Sequence, residues 1–154
     1  MKIAVDSNIV FSAILNTRSN IGQIITIGAK HFGFYTINLL KTEILNHKYK
    51  IQEITGFSNE RFTETYELIT SKIRFVDEIL IPDYSIRNAL KLTHDIDEED
   101  TLYVALTNHI RAKLWTGDKK LEVGLKKKGF SRIITTSEMY DIFIKKELKR
   151  KRTI

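Results

Sequence analysis

Cysteine is absent from this chain of 154 residues, and proline occurs only once. The absence of cysteine excludes disulfide bonds, thiolate metal sites and cysteine nucleophiles, and it fits a reducing, cytoplasmic location. The longest stretches without a charged residue have 11 residues, whereas a membrane-spanning helix needs about 18. Asp6 also follows the amino terminus too closely for a secretory signal. We therefore expect a cytoplasmic protein with no membrane segment.

Other ligand-binding patterns are missing as well. The seven glycines are dispersed, so no glycine-rich phosphate loop indicates nucleotide binding. The four histidines are scattered and lack the spacing of metal ligands. What remains is an ordinary globular composition, with 42% hydrophobic and 29% charged residues. This length and composition suit a single domain that buries a sizeable core.

The positive charge of the chain is concentrated at its carboxyl terminus. The net charge is +6, from 25 basic and 19 acidic residues. Segment 145–152 holds six of the basic residues and one acidic residue, so the rest of the chain, with 19 basic and 18 acidic residues, is nearly neutral. We predict a domain over 1–144 and a basic extension over 145–154. The extension is either a phosphate-attracting tail or a solvated helix end.

Short apolar segments alternate with amphipathic helical segments along the chain. The predicted strands cover 3–5, 34–37, 73–76, 113–116 and 132–135. The predicted helices cover 9–15, 20–30, 39 onward, 58–72, 83–93, 97–110, 119–128 and the segment after the Thr135–Glu138 capping box. This alternation is typical of an α/β protein with a central parallel sheet covered by helices on both faces. In such sheets, functional sites form beyond the carboxyl ends of the strands.

Carboxylates follow these strand ends. Asp6 closes the first strand, Asp118 follows the 113–116 strand, and Glu43 lies in the helix after the second strand. Asp97 and Asp100 begin the helix that precedes the 113–116 strand. A parallel sheet would bring all of these acids to one edge. Each acid taken alone could instead be a helix cap or an exposed helical residue.

Gathered carboxylates need a counter-charge. They repel one another, and their pKa values rise unless something neutralises them. No lysine or arginine lies next to Asp6 in the sequence. A hard divalent cation with oxygen ligands, Mg²⁺ or Mn²⁺, suits such a set. These ions orient water and stabilise charge on a transferring phosphoryl group. An enzyme that cleaves phosphodiester bonds needs both of these effects.

The ordered set of motifs resembles the PIN domain family. The segments that carry the resemblance are Ile3-Ala4-Val5-Asp6-Ser7-Asn8, then Glu43, then Asp97-Glu98-Glu99-Asp100-Thr101 with Val104-Ala105-Leu106, and then Leu114-Trp115-Thr116-Gly117-Asp118. They extend over most of the chain, from Ile3 to about Ile134. The resemblance implies an α/β/α sandwich and a Mg²⁺- or Mn²⁺-dependent ribonuclease. It also implies a VapC-type toxin with an antitoxin partner, and small members often form homodimers.

The resemblance assigns roles to individual residues. The four family acids match Asp6, Glu43, Asp100 and Asp118, which are the expected catalytic residues. Asp6, Asp100 and Asp118 are the expected metal ligands, and Asp97 is either a further ligand or only a helix cap. The supporting polar positions match Asn8 and Thr116. Lys119 and Lys120 are candidates to hold the RNA backbone. Thr101 departs from the alanine that members often carry after the third acid.

Three other functions remain open. A phosphatase of the haloacid dehalogenase type needs a second aspartate two residues after the first, where this chain has Asn8. A receiver domain needs adjacent acids after the first strand, but Val5 precedes Asp6, and the third strand leads only to Asp77 and Glu78. A PIN scaffold that binds RNA or protein without cutting is the third. The complete set of acids favours the active enzyme over this scaffold.

Overall fold

The computed structural model describes residues 1–152 and contains one five-stranded sheet. The strands are β1 (Lys2–Val5), β2 (Gly33–Ile37), β3 (Arg74–Val76), β4 (Lys113–Trp115) and β5 (Ile133–Ile134). Their order across the sheet is β3-β2-β1-β4-β5, and every neighbouring pair is parallel. The predicted parallel sheet is therefore confirmed, and β1 lies at its centre.

Helices cover both faces of the sheet. In the described part of the chain they are α1 (Ser7–Leu15), α2 (Asn20–Thr26), α3 (Leu39–Asn46), α4 (Lys48–Thr55), α5 (Asn59–Thr70), α6 (Asp83–Thr93), α7 (Thr101–His109), α8 (Lys119–Lys127) and α9 (Thr136–Arg152). Short 3-10 helices occupy 28–30, 78–80 and 98–100. No helix within residues 1–152 has the length and apolarity needed to cross a bilayer.

The alternation of side chains along the strands produces two hydrophobic cores. Ile3 and Val5 lie in one core with residues of α1, α2, α5 and α9, whereas Ala4 lies in the other with residues of α7 and α8. Trp115 is fully buried in the first core, and Leu114 is buried in the second. Because alternate residues of the strands face opposite cores, the sheet is the middle layer of an α/β/α sandwich.

Several predicted helix boundaries are confirmed by their caps. The Ser58 hydroxyl accepts a hydrogen bond from the Arg61 amide at 3.1 Å and begins α5. Thr135 and Glu138 form the reciprocal bonds of a capping box at the start of α9. Gly129, with a φ of +84°, follows the end of α8 in the left-handed conformation that glycine adopts without strain.

Other boundaries differ from the predictions. The predicted helix at 97–110 is a 3-10 turn at 98–100 followed by α7, because Asp97 caps the turn through the Glu99 amide. The segment after β2 forms two helices that meet at His47. Residues 145–152 continue α9 as regular helix. The extension predicted over 145–154 ends with two residues that lie outside the described part.

Candidate active site

Asp6 lies at the carboxyl end of the central strand and is almost fully buried, with 1% exposure. Its Oδ1 accepts a hydrogen bond from the Ser7 amide at 2.8 Å, and its Oδ2 accepts one from the Thr116 hydroxyl at 2.7 Å. Its backbone amide donates to the Trp115 carbonyl at 3.0 Å. These bonds hold Asp6 against the end of β4, so the first two predicted site segments meet.

Asn8 and Thr116 tie the two strand ends together. The Asn8 amide nitrogen lies 3.4 Å from both Asp6 Oδ2 and Thr116 Oγ1, and the Asn8 Oδ1 accepts from the Gly117 amide at 3.1 Å. The Thr116 hydroxyl also accepts from the Asp118 amide at 3.0 Å. The structure thus places both predicted supporting residues between Asp6 and Asp118. Their role in supporting a reaction remains a prediction.

Asp100 lies between the 3-10 turn and α7, and it carries an unusual oxygen. Its Oδ2 is the one side-chain oxygen or nitrogen within residues 1–152 that is buried without a hydrogen-bond partner. Burial and the neighbouring Asp6 and Asp97 carboxylates raise the pKa of Asp100 to about 7. Because an orphaned buried carboxylate oxygen costs free energy, this position is poised to accept a cation or a proton.

Asp118 and Asp97 both cap helical segments. The Asp118 Oδ1 accepts from the Leu121 amide at 3.1 Å at the start of α8, and the Asp97 Oδ1 accepts from the Glu99 amide at 2.9 Å. Both carboxylates nevertheless act electrostatically on Asp6 and Asp100. The capping interpretation and the site interpretation are therefore compatible, because a cap engages only one oxygen of each carboxylate.

Glu43 reaches the same edge from α3. Its Oε2 lies 3.5 Å from the hydroxyl of Tyr103, a residue of α7 that is 3% exposed. Partial burial raises the pKa of Glu43, and the Glu99 and Asp6 carboxylates raise it further. Burial and the adjacent Glu43 carboxylate raise the pKa of Tyr103 as well. Tyr103 therefore remains a hydroxyl donor aimed at Glu43.

A cleft lies beside Glu43 on the rim of this edge. Its volume is about 430 Å³. The lining residues are Leu39, Glu43, His47, Glu98, Glu99 and Leu102. The cleft is open at one side of the acidic residues and is large enough to admit part of a nucleotide chain.

The carboxyl end of the sheet, where these carboxylates lie, is called the acidic edge below. Its carboxylates lack ion-pair partners. None of the ion pairs formed within the described residues involves Asp6, Glu43, Asp97, Asp100 or Asp118. Burial is the largest cause that raises the Asp6 pKa, hydrogen bonds from Thr116 and Ser7 offset part of it, and the Asp118 and Asp97 carboxylates then add to it. Keeping Asp6 ionised at this end of the sheet therefore costs free energy of folding.

The donor set fits a hard divalent cation. All of the candidate ligands are carboxylates, and Asp100 Oδ2 is buried without a partner. Within residues 1–152, no group of three or more acidic or histidine side chains is arranged so that it could hold a metal ion. Mg²⁺ does not need three side-chain ligands, because it commonly keeps several waters and takes only one or two carboxylates.

Lys119 and Lys120 begin α8 directly after Asp118 and are exposed. The Lys119 ammonium lies 3.7 Å from Glu122 Oε2, so part of its charge is already compensated. Lys120 extends from the same turn. Both residues lie beside Asp118, and their contact with RNA remains a prediction.

Tyr103 is the site residue that the sequence did not reveal. It lies in the apolar run of α7, where an aromatic side chain is ordinarily a core residue. Its only signal is helical spacing: Tyr103 is three residues after Asp100, so the two side chains share one side of the helix. The role of Thr101 was also not evident from the sequence. Its hydroxyl lies 2.6 Å from that of Thr93, and this hydrogen bond joins the start of α7 to the end of α6.

Comparison with known proteins places this geometry in a family. The family model described as PIN domain matches residues 4–140. The chain is similar to one in the crystal structure of VapBC2 from Rickettsia felis bound to a DNA fragment from their promoter, with a TM-score of 0.64 and 16% sequence identity. That alignment covers 88% of this chain and 97% of the other. No protein with a curated description matches the chain. The structural likeness shows a shared fold.

Proposed function

Since this chain belongs to the PIN domain family, we propose that it is a Mg²⁺- or Mn²⁺-dependent endoribonuclease and the toxin of a toxin–antitoxin pair in the cytoplasm. The observation that carries the proposal is the uncompensated acidic edge. Asp6 and Asp100 come from separate elements, their pKa values are raised, and Asp100 has an orphaned buried oxygen. A fold that only needed helix caps would have no reason to bury these charges together.

Asp6, Asp100 and Asp118 are the proposed ligands of the cation, and Asp97 is a further candidate. When bound, the cation supplies Lewis-acid chemistry, polarising a phosphodiester and lowering the pKa of water. Asp6 is presented by the network of Asn8 and Thr116, whose bonds fix its Oδ2. Asp100 presents the oxygen that lacks a partner.

Glu43 is the proposed residue that orients the attacking water and accepts its proton. Its raised pKa makes the carboxylate a better proton acceptor than an ordinary glutamate. The Tyr103 hydroxyl holds the position of Glu43 from the buried side. Lys119 and Lys120 would neutralise phosphates next to the scissile bond.

The proposed reaction is hydrolysis. The water oxygen forms a bond to phosphorus while the bond from phosphorus to the 3′-oxygen breaks. The 3′-oxygen leaves and takes up a proton, so the products carry a 5′-phosphate and a 3′-hydroxyl. The attacking water would lie at the acidic edge, because Glu43 and the proposed metal ligands are located there.

The partners follow from the same proposal. A toxin of this type would be silenced by an antitoxin protein, and the similar structure is that of VapBC2 from Rickettsia felis bound to a DNA fragment from their promoter. A homodimer is the further proposed assembly. Coexpression of a neighbouring antitoxin gene should restore growth that this chain alone arrests.

The proposal is tested by cleavage of a defined RNA. Purified protein should cut the RNA with Mg²⁺ or Mn²⁺ and stop in excess chelator. The same ions should raise the unfolding temperature, because a ligand that binds only the folded state stabilises it, by about 2.7 kcal/mol at 100 times its Kd. Full cleavage in chelator would contradict the metal site. Metal binding without any cleavage would instead identify a non-catalytic scaffold.

A further inference from the structure

The amino edge of the sheet carries a row of basic residues. All five strands are parallel, so their amino ends lie together. A basic residue begins or closely precedes each strand: Lys2 for β1, Lys30 for β2, Arg74 for β3, Lys113 for β4 and Arg132 for β5. The fold therefore carries opposite charges at its two ends.

Helix α9 brings its basic turns to this same edge. The helix begins after the carboxyl end of β5 and runs back along the sheet. Near its other end, Glu147 Oε1 lies 2.9 Å from His31 Nε2 and 3.4 Å from Lys30 Nζ, and both of these residues precede β2. This contact anchors segment 145–152 at the amino edge.

Lys113 of β4 and Arg132, directly before β5, lie on the face of the sheet that α9 covers. Lys113 is aligned with Ile3, whose side chain lies in the core that α9 helps to form. Arg132 immediately precedes Ile133, the partner of Leu114, so Arg132 lies beside Lys113 on the neighbouring strand. Adjacent strands are about 4.8 Å apart. Lys113 and Arg132 therefore add positive charge at the amino edge, on the face of the sheet that α9 covers.

Most of this charge is available to a ligand. Lys113, Arg132, Lys145 and Lys149 are exposed. Within residues 1–152, none of these four takes part in an ion pair. We call these four residues the basic surface. Such a surface attracts a polyanion and releases its counterions.

The composition of α9 distinguishes between polyanions. A helix that lies on a lipid surface needs a broad apolar face beside its basic residues. In the last two turns of α9, the large exposed apolar residue is Leu148 alone among the described residues, with 53% exposure. A phosphate backbone needs only the cations, so this surface fits a nucleic acid better than a membrane.

We propose that the basic surface binds the RNA substrate at a distance from the bond that is cut. The proposal rests on the ribonuclease function, because the acidic edge repels phosphates and most of the attraction for RNA must come from elsewhere. Helix α9 has 17 residues, or about 25 Å of length. At about 3.4 Å per stacked nucleotide, an RNA that reaches both ends of the sheet needs about seven nucleotides between them.

The test measures RNA binding in chelator, so it does not depend on cleavage. The probes are fluorescein-labelled polyuridine RNAs of six and thirty nucleotides, and the readout is fluorescence anisotropy. The double variant Lys145→Glu and Lys149→Glu should weaken binding of the 30-mer by at least about tenfold and flatten its salt dependence. Binding of the 6-mer should weaken as well, because in chelator a short RNA also depends on the basic surface for most of its attraction.

The matched control is the double variant Lys50→Glu and Lys91→Glu. Both residues are exposed and lie on α4 and α6, and the change in net charge is the same. This control should bind the 30-mer within about threefold of the wild type. Equal weakening by both double variants would overturn the proposal, since net charge alone would then explain the binding.

A second double variant tests the same surface in case the substitutions in α9 prevent folding. Lys113→Glu with Arg132→Glu alters the same surface from the strands and should also weaken 30-mer binding. Unchanged 30-mer binding in folded variants, combined with lysine-dependent binding to phosphatidylserine vesicles, would assign the surface to a membrane instead. If RNA binds as expected but is never cut with Mg²⁺, the ribonuclease proposal fails while the RNA surface stands.

Discussion

Carboxylates have opposite surroundings at the two ends of the sheet. At the amino edge, Glu147 accepts from His31 and lies near Lys30 and Arg150. The hydrogen bond from His31 is the main cause that lowers the Glu147 pKa. At the carboxyl edge, Asp100 has only acidic neighbours among the groups that shift its pKa, which rises to about 7.

This difference shows where the fold keeps negative charge without local compensation. Outside the acidic edge, acids such as Asp95 and Glu122 pair with lysines, and those pairs lower their pKa values. The chain has more basic than acidic residues, so cations are not in short supply. Within residues 1–152, the candidate acids of the carboxyl edge form no ion pair, although Lys119 and Lys120 begin α8 beside Asp118. This points to a function that needs negative charge there.

The largest expected effect separates an acid of the proposed site from a paired acid. Asp118→Asn should lower Mg²⁺-dependent RNA cleavage by more than about 100-fold, because even outer partners of a metal site contribute about 10- to 100-fold. Asparagine still caps α8, so circular dichroism and the unfolding temperature should stay close to the wild type.

The matched control is Asp95→Asn, which removes an acid that is paired with Lys128. Its cleavage rate should remain within about twofold of the wild type. Wild-type cleavage by the Asp118→Asn protein would remove that residue from the site, and equal losses in both variants would remove the contrast between the two kinds of acid.

A smaller effect concerns stability, and it has opposite signs at the two ends of the sheet. Without divalent ions at pH 8, Asp100→Asn should raise the free energy of unfolding by about 1 kcal/mol, the usual size of a repaired charge. Glu147→Gln should lower the unfolding temperature, because it weakens the ion pairs around α9. Denaturant titration in chelator measures both effects. A destabilised Asp100→Asn protein would show that the carboxylate supports the fold.

A further effect is a trend of stability with pH in the metal-free protein. The folded-state pKa of Asp100 is raised above its ordinary value of 3.8 to about 7. Between these values the folded state holds a proton that the unfolded state has lost, so stability falls as the pH rises. The stability of the wild type relative to Asp100→Asn should therefore decrease from about pH 4 to about pH 7 and then level off.

Glu147 provides the opposite trend for comparison. Its folded-state pKa is lowered from 4.5, so its contribution is present above that value and is lost as the pH falls through the folded-state pKa. The difference between wild type and Glu147→Gln should thus shrink in acid. Parallel pH profiles for the Asp100 and Glu147 variants would contradict the contrast between the two ends.

The sequence alone predicted the layers of the fold and the edge that carries the acids. Apolar strands that alternate with amphipathic helices require a covered parallel sheet, and parallel strands bring Asp6 and Asp118 to the same edge. Local rules also predicted the caps at Ser58 and Thr135, because these bonds join residues three apart in the chain. The roles of the individual acids in catalysis remain predictions.

Only the tertiary structure decided the environment of each charge. Burial of Asp100 Oδ2, the contact of Tyr103 with Glu43, and the meeting of Glu147 with His31 join elements that are remote in sequence. Desolvation and Coulomb interaction depend on distances across those contacts. A sequence shows which residues are ionisable, but the packing of the helices against the sheet determines which are neutralised and which are left to bind something else.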